Sequence, residues 1–444
     1  MSRIIVAGLG HGGLTAAVKL AQSGHDVTVY EAKERAECGH DQKDSFDAKA
    51  MERAGFEIPD SFRAPGNVLT FVPLEDDVEP ISLPAKDDYE NLTVDRKEFL
   101  NYLIDLALDA GVKIEFGVKV LAPVILGSRV AGIKTDRGDF YGDLIIDACG
   151  VHSAVRSNLP EFMFIDKEPA YYDILHTYRG YFNRVPDAPE PKNKYNLYIK
   201  EDGMVGFKWI INEEDCVDVL LIRFPEINYS DVAQGLNEIN TINPQMGKDL
   251  VRGGNFVDIP VRAPLAVLVA DGYAAVGDSA FMTYAVKGSG IAYSLIAGTI
   301  LAEAVQADEN GFYTAETLWK YEHDFYHEIG FSAGRIAVMK NILPFITAVD
   351  VNEMFKRGLI TAEDVDLFVS GDLQKSKLPG IAAQKIKILG DIPELRALLV
   401  NMLGWFGRYT VIETSFPEKY SREDAEKWAA RYNKFFDSIR RTDE

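Results

Sequence analysis

The chain has 444 residues, roughly three times the modal domain length, which favours two or three domains on a large core and excludes a small disulfide-held scaffold. Hydrophobic residues make up 47% and charged residues 26%, the balance of a folded globular protein. Lys+Arg 47 against Asp+Glu 68 leaves a formal charge of −21, a field that repels phosphate backbones and anionic lipid, so no nucleic-acid partner is expected and the charge does not point to peripheral membrane contact. Cys38, Cys149 and Cys216 are too few and too scattered for a disulfide framework or paired zinc motifs, so no metal is expected and a reducing, cytoplasmic setting fits. The longest charge-free apolar run, Gly288 to Ala302, is shorter than the roughly 18 to 20 residues that span a bilayer. The N-terminal apolar stretch is interrupted by glycines and reads as structure, not as a signal peptide.

In chain order, Arg3 to Ala7 (RIIVA) has strand character, Gly8-Leu9-Gly10-His11-Gly12-Gly13 follows, and Leu14 to Gln22 has helical periodicity. Gly8, Gly10 and Gly13 provide a tight turn, a side-chain-free approach for a pyrophosphate, and close packing of helix on strand, with the helix N-terminus facing the phosphates. Asp26 to Tyr30 alternates as a second strand and delivers Glu31 at its end, where a carboxylate can accept both ribose hydroxyls of an adenosine. This unit predicts a dinucleotide site and leaves NAD and FAD open.

Further on, Asp143 to Arg156 (DLIIDACGVHSAVR) is a strand ending in a Cys149-Gly150 turn. Asp271 to Gly290 is a strand running into Gly277-Asp278 and then the Gly288-Ser289-Gly290 turn before a helix from Ile291 to Val305. Between them, His176 to Asn183, Tyr195 to Ile199, Met204 to Ile211 and Cys216 to Phe224 alternate like an antiparallel sheet, with hairpin turns at Asp202-Gly203 and at Asn212 to Asp215. Pro186 to Lys194 reads as a solvated linker. From Tyr313 onward the pattern is helical and charged, clearest at Glu316 to Ile329, Ala333 to Ala348, Thr361 to Val369 and Arg422 to Arg440. Its aromatics, among them Trp319, Tyr321, Phe325, Tyr326 and Phe331, suit packing against the nucleotide domain, or a cap over an apolar substrate tunnel.

These three glycine motifs resemble the flavoprotein superfamily of aromatic hydroxylases, flavin halogenases and geranylgeranyl reductases. The resemblance covers most of residues 1 to 310. It implies an α/β fold: a Rossmann-like FAD-binding domain (1–165 with 255–310), an antiparallel-sheet substrate domain (166–254) and a C-terminal helical region (311–444). By the same resemblance, Gly277 and Asp278 bind the ribityl and pyrophosphate part of FAD, and Gly288, Gly290 and Ile291 set a helix N-terminus against the flavin ring. Arg96, in Val94-Asp95-Arg96, reaches toward the flavin, and the backbone of Val120, closing the run KIEFGVKV, meets the adenine. The chain departs from the family pattern at Cys149, where Asp is usual, and at Ala285, where Pro is frequent.

Phe207 and Trp209 resemble the aromatic-x-Trp motif of the geranylgeranyl reductase branch, departing from it at Ile211-Asn212. Spaced by two, they share one face of a strand as an apolar wall, or as ordinary sheet core. Tyr284 lies in the third glycine loop as a candidate proton donor, and the loop His40-Asp41-Gln42-Lys43-Asp44 carries titratable groups that suit proton transfer or simple solvation. His176 reads as a hydrogen-bonded core histidine, and the lone thiols of Cys38 and Cys149 as inert. The expected activity is hydride transfer from reduced FAD to a C=C bond of an apolar or partly apolar small molecule. The electron donor is NAD(P)H or a reduced carrier. The alternative is an FAD-dependent monooxygenase working through a flavin C4a-peroxide.

Overall fold

The computed structural model describes residues 1–63, 68–73, 75, 78–84, 90–199, 206–370, 385–386, 389 and 392–440; the hairpin turn expected at Asp202-Gly203 lies outside them. Strands β1 (Arg3–Ala7), β2 (Asp26–Tyr30), β7 (Lys113–Glu115), β11 (Leu144–Asp147), β17 (Val269–Ala270) and β18 (Tyr273–Ala275) form one sheet in the order β17-β18-β11-β1-β2-β7. It is parallel apart from the β17–β18 pair. Ile4, Ile5, Val6 and Ala7 are all buried, because a central parallel strand is covered on both faces and therefore reads as an unbroken apolar run. The helices His11–Gln22, Arg96–Asp109 and Ile291–Ala307 pack together over this sheet, and the three-stranded sheet of β8 (Val120–Leu126), β9 (Arg129–Thr135) and β10 (Gly138–Tyr141) lies beside β11.

The expected antiparallel sheet is present and wider than the sequence suggests. Strands β12 (Ile174–Arg184), β13 (Tyr195–Ile199), β14 (Gly206–Asn212), β15 (Cys216–Arg223) and β16 (Met246–Pro260) are joined by β4 (Leu69–Val72) and β5 (Ile81–Leu83) from the N-terminal part, in the order β16-β12-β15-β14-β13-β4-β5. β16 runs through residue 254, where the domain boundary was expected, bending at Gly253 and Gly254 (φ +77° and +78°) as its register on β12 shifts. Alternation divides the faces: Tyr178, Phe182, Ile210, Val217, Val219 and Leu221 bury under the helix Tyr229–Ile242, while Leu220, Ile222, Phe207 and Trp209 pack toward the nucleotide domain. A short ribbon of β3 (Lys43–Asp47) and β6 (Asn91–Asp95) completes the strands.

The run KIEFGVKV is two elements rather than one. Gly117 adopts φ +65°, so the chain turns between β7 and β8, and Val120 opens β8 opposite Thr135 instead of closing a strand. At the C-terminus, the helix Ala315–Phe325 passes through a π turn (Tyr326–Gly330) into Phe331–Lys340. The long helix Pro393–Thr414, not singled out by the sequence, precedes Arg422–Ile439. The aromatics of this region are core: Trp319 stacks on Phe416 at 5.6 Å, Trp428 meets both Tyr326 and Phe416 at 5.0 Å, and the Tyr432 hydroxyl donates to the Pro264 carbonyl at 3.0 Å. Among the described residues no single helix is long and apolar enough to cross a membrane.

Glu322 lies wholly inside this packing, one carboxylate oxygen accepting the Leu268 amide at 2.7 Å and the other without a partner among the described residues. Burial pushes its pKa well above the ordinary 4.5. A carboxyl with a raised folded-state pKa contributes stability that is complete below about 4.5 and lost as pH rises through the folded value. Melting temperature should therefore fall more between about pH 5 and about pH 8 in the wild type than in Glu322→Gln. Parallel pH profiles of the two proteins would refute this.

Candidate functional site

The first glycine turn is shaped by its neighbour on β11. A Cβ on Gly8 (φ +89°) would lie 2.5 Å from the Ala148 carbonyl oxygen, one on Gly10 would lie 3.0 Å from the same atom, and one on Gly13 would lie 2.6 Å from the Ala148 Cβ. All three glycines thus let the turn and the helix His11–Gln22 settle on Ala148. Glu31 stands at the end of β2 as expected, and its carboxylate is already tied to the turn: Oε2 accepts the Leu9 amide at 3.0 Å and Oε1 the Lys33 amide at 2.9 Å. Its carbonyl accepts the amide of Val118 at 2.8 Å, which ties the chain two residues before Val120 to the end of β2.

The second and third motifs meet at Asp147, a residue the sequence reading passed over. This buried carboxylate accepts the Ser153 hydroxyl at 2.6 Å, the Tyr273 hydroxyl at 2.9 Å and the Cys149 amide at 3.1 Å, and its carbonyl accepts the Val276 amide at 3.0 Å and the Ser279 hydroxyl. Ser153 caps the short helix that carries Arg156. Arg156 is fully buried, donating to the carbonyls of Lys167, Ser279 and Val151 and lying 4.4 Å over the Phe281 ring, so it braces the motif from inside. The Cys149 thiol has its pKa pushed well above the usual value by burial and by Asp147, which keeps it unreactive.

Gly277 (φ +71°) begins a short turn bearing Asp278, and Gly288 (φ +68°) and Gly290 lead into the helix Ile291–Ala307. A Cβ on Gly290 would lie 3.0 Å from Asp278 Oδ1, so the carboxylate sits at the head of that helix. Arg96 opens the helix Arg96–Asp109, with Asp95 as its cap. Its guanidinium approaches Asp44 at 3.6 Å, and its backbone amide donates to the Gln42 carbonyl at 2.9 Å, pinning the His40 to Asp44 loop. Three further groups lie in its field. Burial raises the Asp278 pKa, with Arg96 opposing. Burial first, then Arg96, lowers His40 to about 4 and His11 to about 3. Both imidazoles are therefore neutral near pH 7.

Phe207 and Trp209 project from β14 onto the face that looks at the nucleotide domain. Trp209 has Arg179 at 4.9 Å over its ring and Tyr195 edge-on at 5.7 Å. Arg179 forms a bidentate buried pair with Asp218 at 2.9 and 2.6 Å. This pair was missed; its signal is a charge inside two otherwise apolar strands, YRGYF and CVDVLLIR. The Tyr284 amide donates to the Ser289 carbonyl at 2.8 Å, closing the third glycine loop, and its buried phenol has its pKa raised by burial. His176 pairs through Nδ1 with Asp258 at 2.8 Å, as a held histidine.

The residues fit FAD. Three glycine turns converge on one side of the parallel sheet, and any side chain at Gly8 or Gly13 would collide with Ala148. At the head of the first helix His11 Nε2 is buried with no hydrogen-bond partner among the described residues, a polar atom awaiting one.

Comparison with known proteins agrees. The family model for flavin-containing amine oxidoreductases matches residues 12–36. A digeranylgeranylglycerophospholipid reductase of Sulfolobus acidocaldarius is 24% identical over 394 residues, 84% of either chain. A geranylgeranyl bacteriochlorophyll reductase-like protein of Thermoplasma acidophilum superposes with TM-score 0.69 at 18% identity, covering 87% of this chain and 99% of its own. A myxobacterial FAD-dependent chondrochloren halogenase superposes at 0.60 with 19% identity, covering 91% and 97%. The two structures share the fold.

Replacing Gly10 by Val should abolish FAD retention, because the branched side chain would press on Ala148 and enter the phosphate approach. Loss of one charge-assisted hydrogen bond costs about 1.5 to 3 kcal/mol, so Glu31→Ala and Asp278→Ala should each weaken FAD by about ten-fold to a hundred-fold in equilibrium dialysis. Yellow, fully loaded Gly10→Val protein, or unchanged affinity in both other variants, would refute the placement.

Proposed function

We propose that this FAD-dependent oxidoreductase belongs with the superfamily of aromatic hydroxylases, flavin halogenases and geranylgeranyl reductases, and that it reduces a C=C bond of an apolar or partly apolar small molecule. The observation that carries this reading is similarity, over 84% of the chain, to a digeranylgeranylglycerophospholipid reductase, a protein named for reducing an unsaturated isoprenoid lipid. Bound FAD supplies the hydride.

The chain's own residues divide the work in this reading. Gly8, Gly10 and Gly13 admit the pyrophosphate to the N-terminus of the helix His11–Gln22, and Glu31 holds the ribose with the lone pairs left free by Leu9 and Lys33. Asp278 would hold the ribityl and pyrophosphate part, and Arg96, on another element, would reach toward the flavin. The first amides of the helix Ile291–Ala307, presented by Gly288 and Gly290, would offset negative charge on a bound, reduced flavin ring. Phe207 and Trp209 keep water from the substrate carbon, which must come within about 3 to 3.5 Å of the hydride source. Reduction of a C=C bond also needs a proton at the second carbon. The Tyr284 phenol, which carries its proton at neutral pH and whose pKa burial raises further, is the candidate donor.

Oxygen separates this activity from the monooxygenase alternative. Enzyme reduced with dithionite under argon and mixed with an unsaturated isoprenoid should show flavin reoxidation and a saturated product, and Trp209→Ala should slow that step more than it weakens FAD. Product formation only in air, with an oxygen atom incorporated, would refute the reductase reading and leave the FAD site intact.

A further inference from the structure

We propose that His323, His327 and Glu418 form a divalent-metal site, of the kind suited to zinc, that fastens the turn before the last helix to the helix Ala315–Phe325. The site lies in the C-terminal helical region, apart from every residue assigned to FAD or substrate.

The geometry carries the proposal. His323 and His327 are four residues apart across the junction of the helix and its π turn, their ring centroids 4.4 Å apart, and π turns concentrate at functional sites. Glu418 reaches both: Oε2 lies 3.0 Å from His323 Nε2, and Oε1 lies 3.6 Å from His327 Nε2. One ligand atom from each residue falls within 4.8 Å of the others. Zinc bonds to nitrogen and carboxylate oxygen of about 2.0 to 2.2 Å put neighbouring ligand atoms of a tetrahedron about 3.3 Å apart, and each imidazole nitrogen lies near that distance from one oxygen of the Glu418 carboxylate.

The 3.6 Å separation is too long for an N–H···O bond, so His327 faces Glu418 without one. A cation between them would join the two. A hydrogen bond behind the first histidine is also in place. His323 Nδ1 lies 2.8 Å from Asp324 Oδ1; with the proton on Nδ1, Nε2, which faces Glu418, would present its lone pair to an ion, the usual orientation of metal-binding histidines. Asp324 is held in turn by Lys320.

The third ligand is prepositioned by the packing beneath it. Trp319 Nε1 donates to the Pro417 carbonyl at 2.9 Å, and Phe416 stacks on the Trp319 ring, so the turn is docked before any ion arrives. The His327 and Glu418 side chains are 45% and 68% exposed, which gives an ion a path in and leaves a fourth position for water. Two imidazoles and one carboxylate favour zinc over magnesium or calcium, which prefer oxygen donors.

The competing arrangement is an imidazolium of His323 shared by Asp324 and Glu418, with no metal. Zinc titration of EDTA-treated, dialysed protein distinguishes the two, read by isothermal calorimetry, native mass spectrometry and thermal shift. The metal site predicts one zinc per chain and a rise in melting temperature reversed by EDTA. Both should be lost in His327→Gln and in Glu418→Gln, whose exposed side chains leave the circular dichroism unchanged. Asp324→Asn, which loosens the hold on His323 without removing a ligand, should weaken zinc by about ten-fold to a hundred-fold. A wild type whose melting temperature does not respond to zinc, or a response preserved in both His327→Gln and Glu418→Gln, would overturn the assignment.

Discussion

The nucleotide site depends on one short stretch at the end of β11, Asp147-Ala148. Ala148 presents its carbonyl and its methyl to Gly8, Gly10 and Gly13 at distances that admit no further carbon, so the first turn has its shape because this surface is beneath it. Asp147 gathers donors from the second and third motifs through both its carboxylate and its carbonyl. Segments far apart in the chain are thereby brought to one edge of the parallel sheet, at the carboxyl ends of β1, β2, β11 and β18, where doubly wound sheets bind nucleotides. A buried, fully hydrogen-bonded carboxylate is costly to disturb, since removing it strands three donors at once. Position 149, where the family pattern has Asp, carries a thiol, and the carboxylate two residues earlier is engaged in holding the motifs together.

Charge inside the fold is arranged around two arginines with different work. Arg179 and Asp218 are a desolvated pair beneath Trp209 and Tyr195; such a pair adds little net stability but is expensive to break, so its effect is to fix the orientation of the aromatic wall. Arg96 stands at the opening of its helix with His11, His40 and Asp278 in its field. Its positive charge disfavours protonation of the two imidazoles and favours ionisation of the carboxyl, and it is well placed for an anionic cofactor.

The sequence made the nucleotide unit legible because strand, glycine turn, helix and acid are local, and each has a period or a residue type that only one conformation satisfies. The sheet behind Trp209 was legible for the same reason: Phe207 and Trp209 alternate with Lys208 and Ile210, and the faces divide accordingly. What escaped is non-local or atypical. β4 and β5 are four and three residues long and join the sheet only through β13, so nothing nearby announces them. β16 bends at two glycines that sequence alone reads as a break. The helix Pro393–Thr414 is apolar around most of its circumference and contains Gly404 and Gly407, which blurs its period. The spacing of His323 and His327 is visible in the chain, but Glu418 is 95 residues from His323 and joins them only through folding.

The central claim is that three glycine turns and the β14 face enclose one FAD, with its reactive ring against the aromatic wall. A crystal structure of the protein grown with FAD tests it most directly. The account predicts the adenosine ribose on Glu31, the pyrophosphate at Gly10, the ribityl chain at Asp278, and the ring between the Gly288–Ile291 turn and Trp209. A ring turned away from β14, or a nucleotide whose ribose does not touch Glu31, would contradict it.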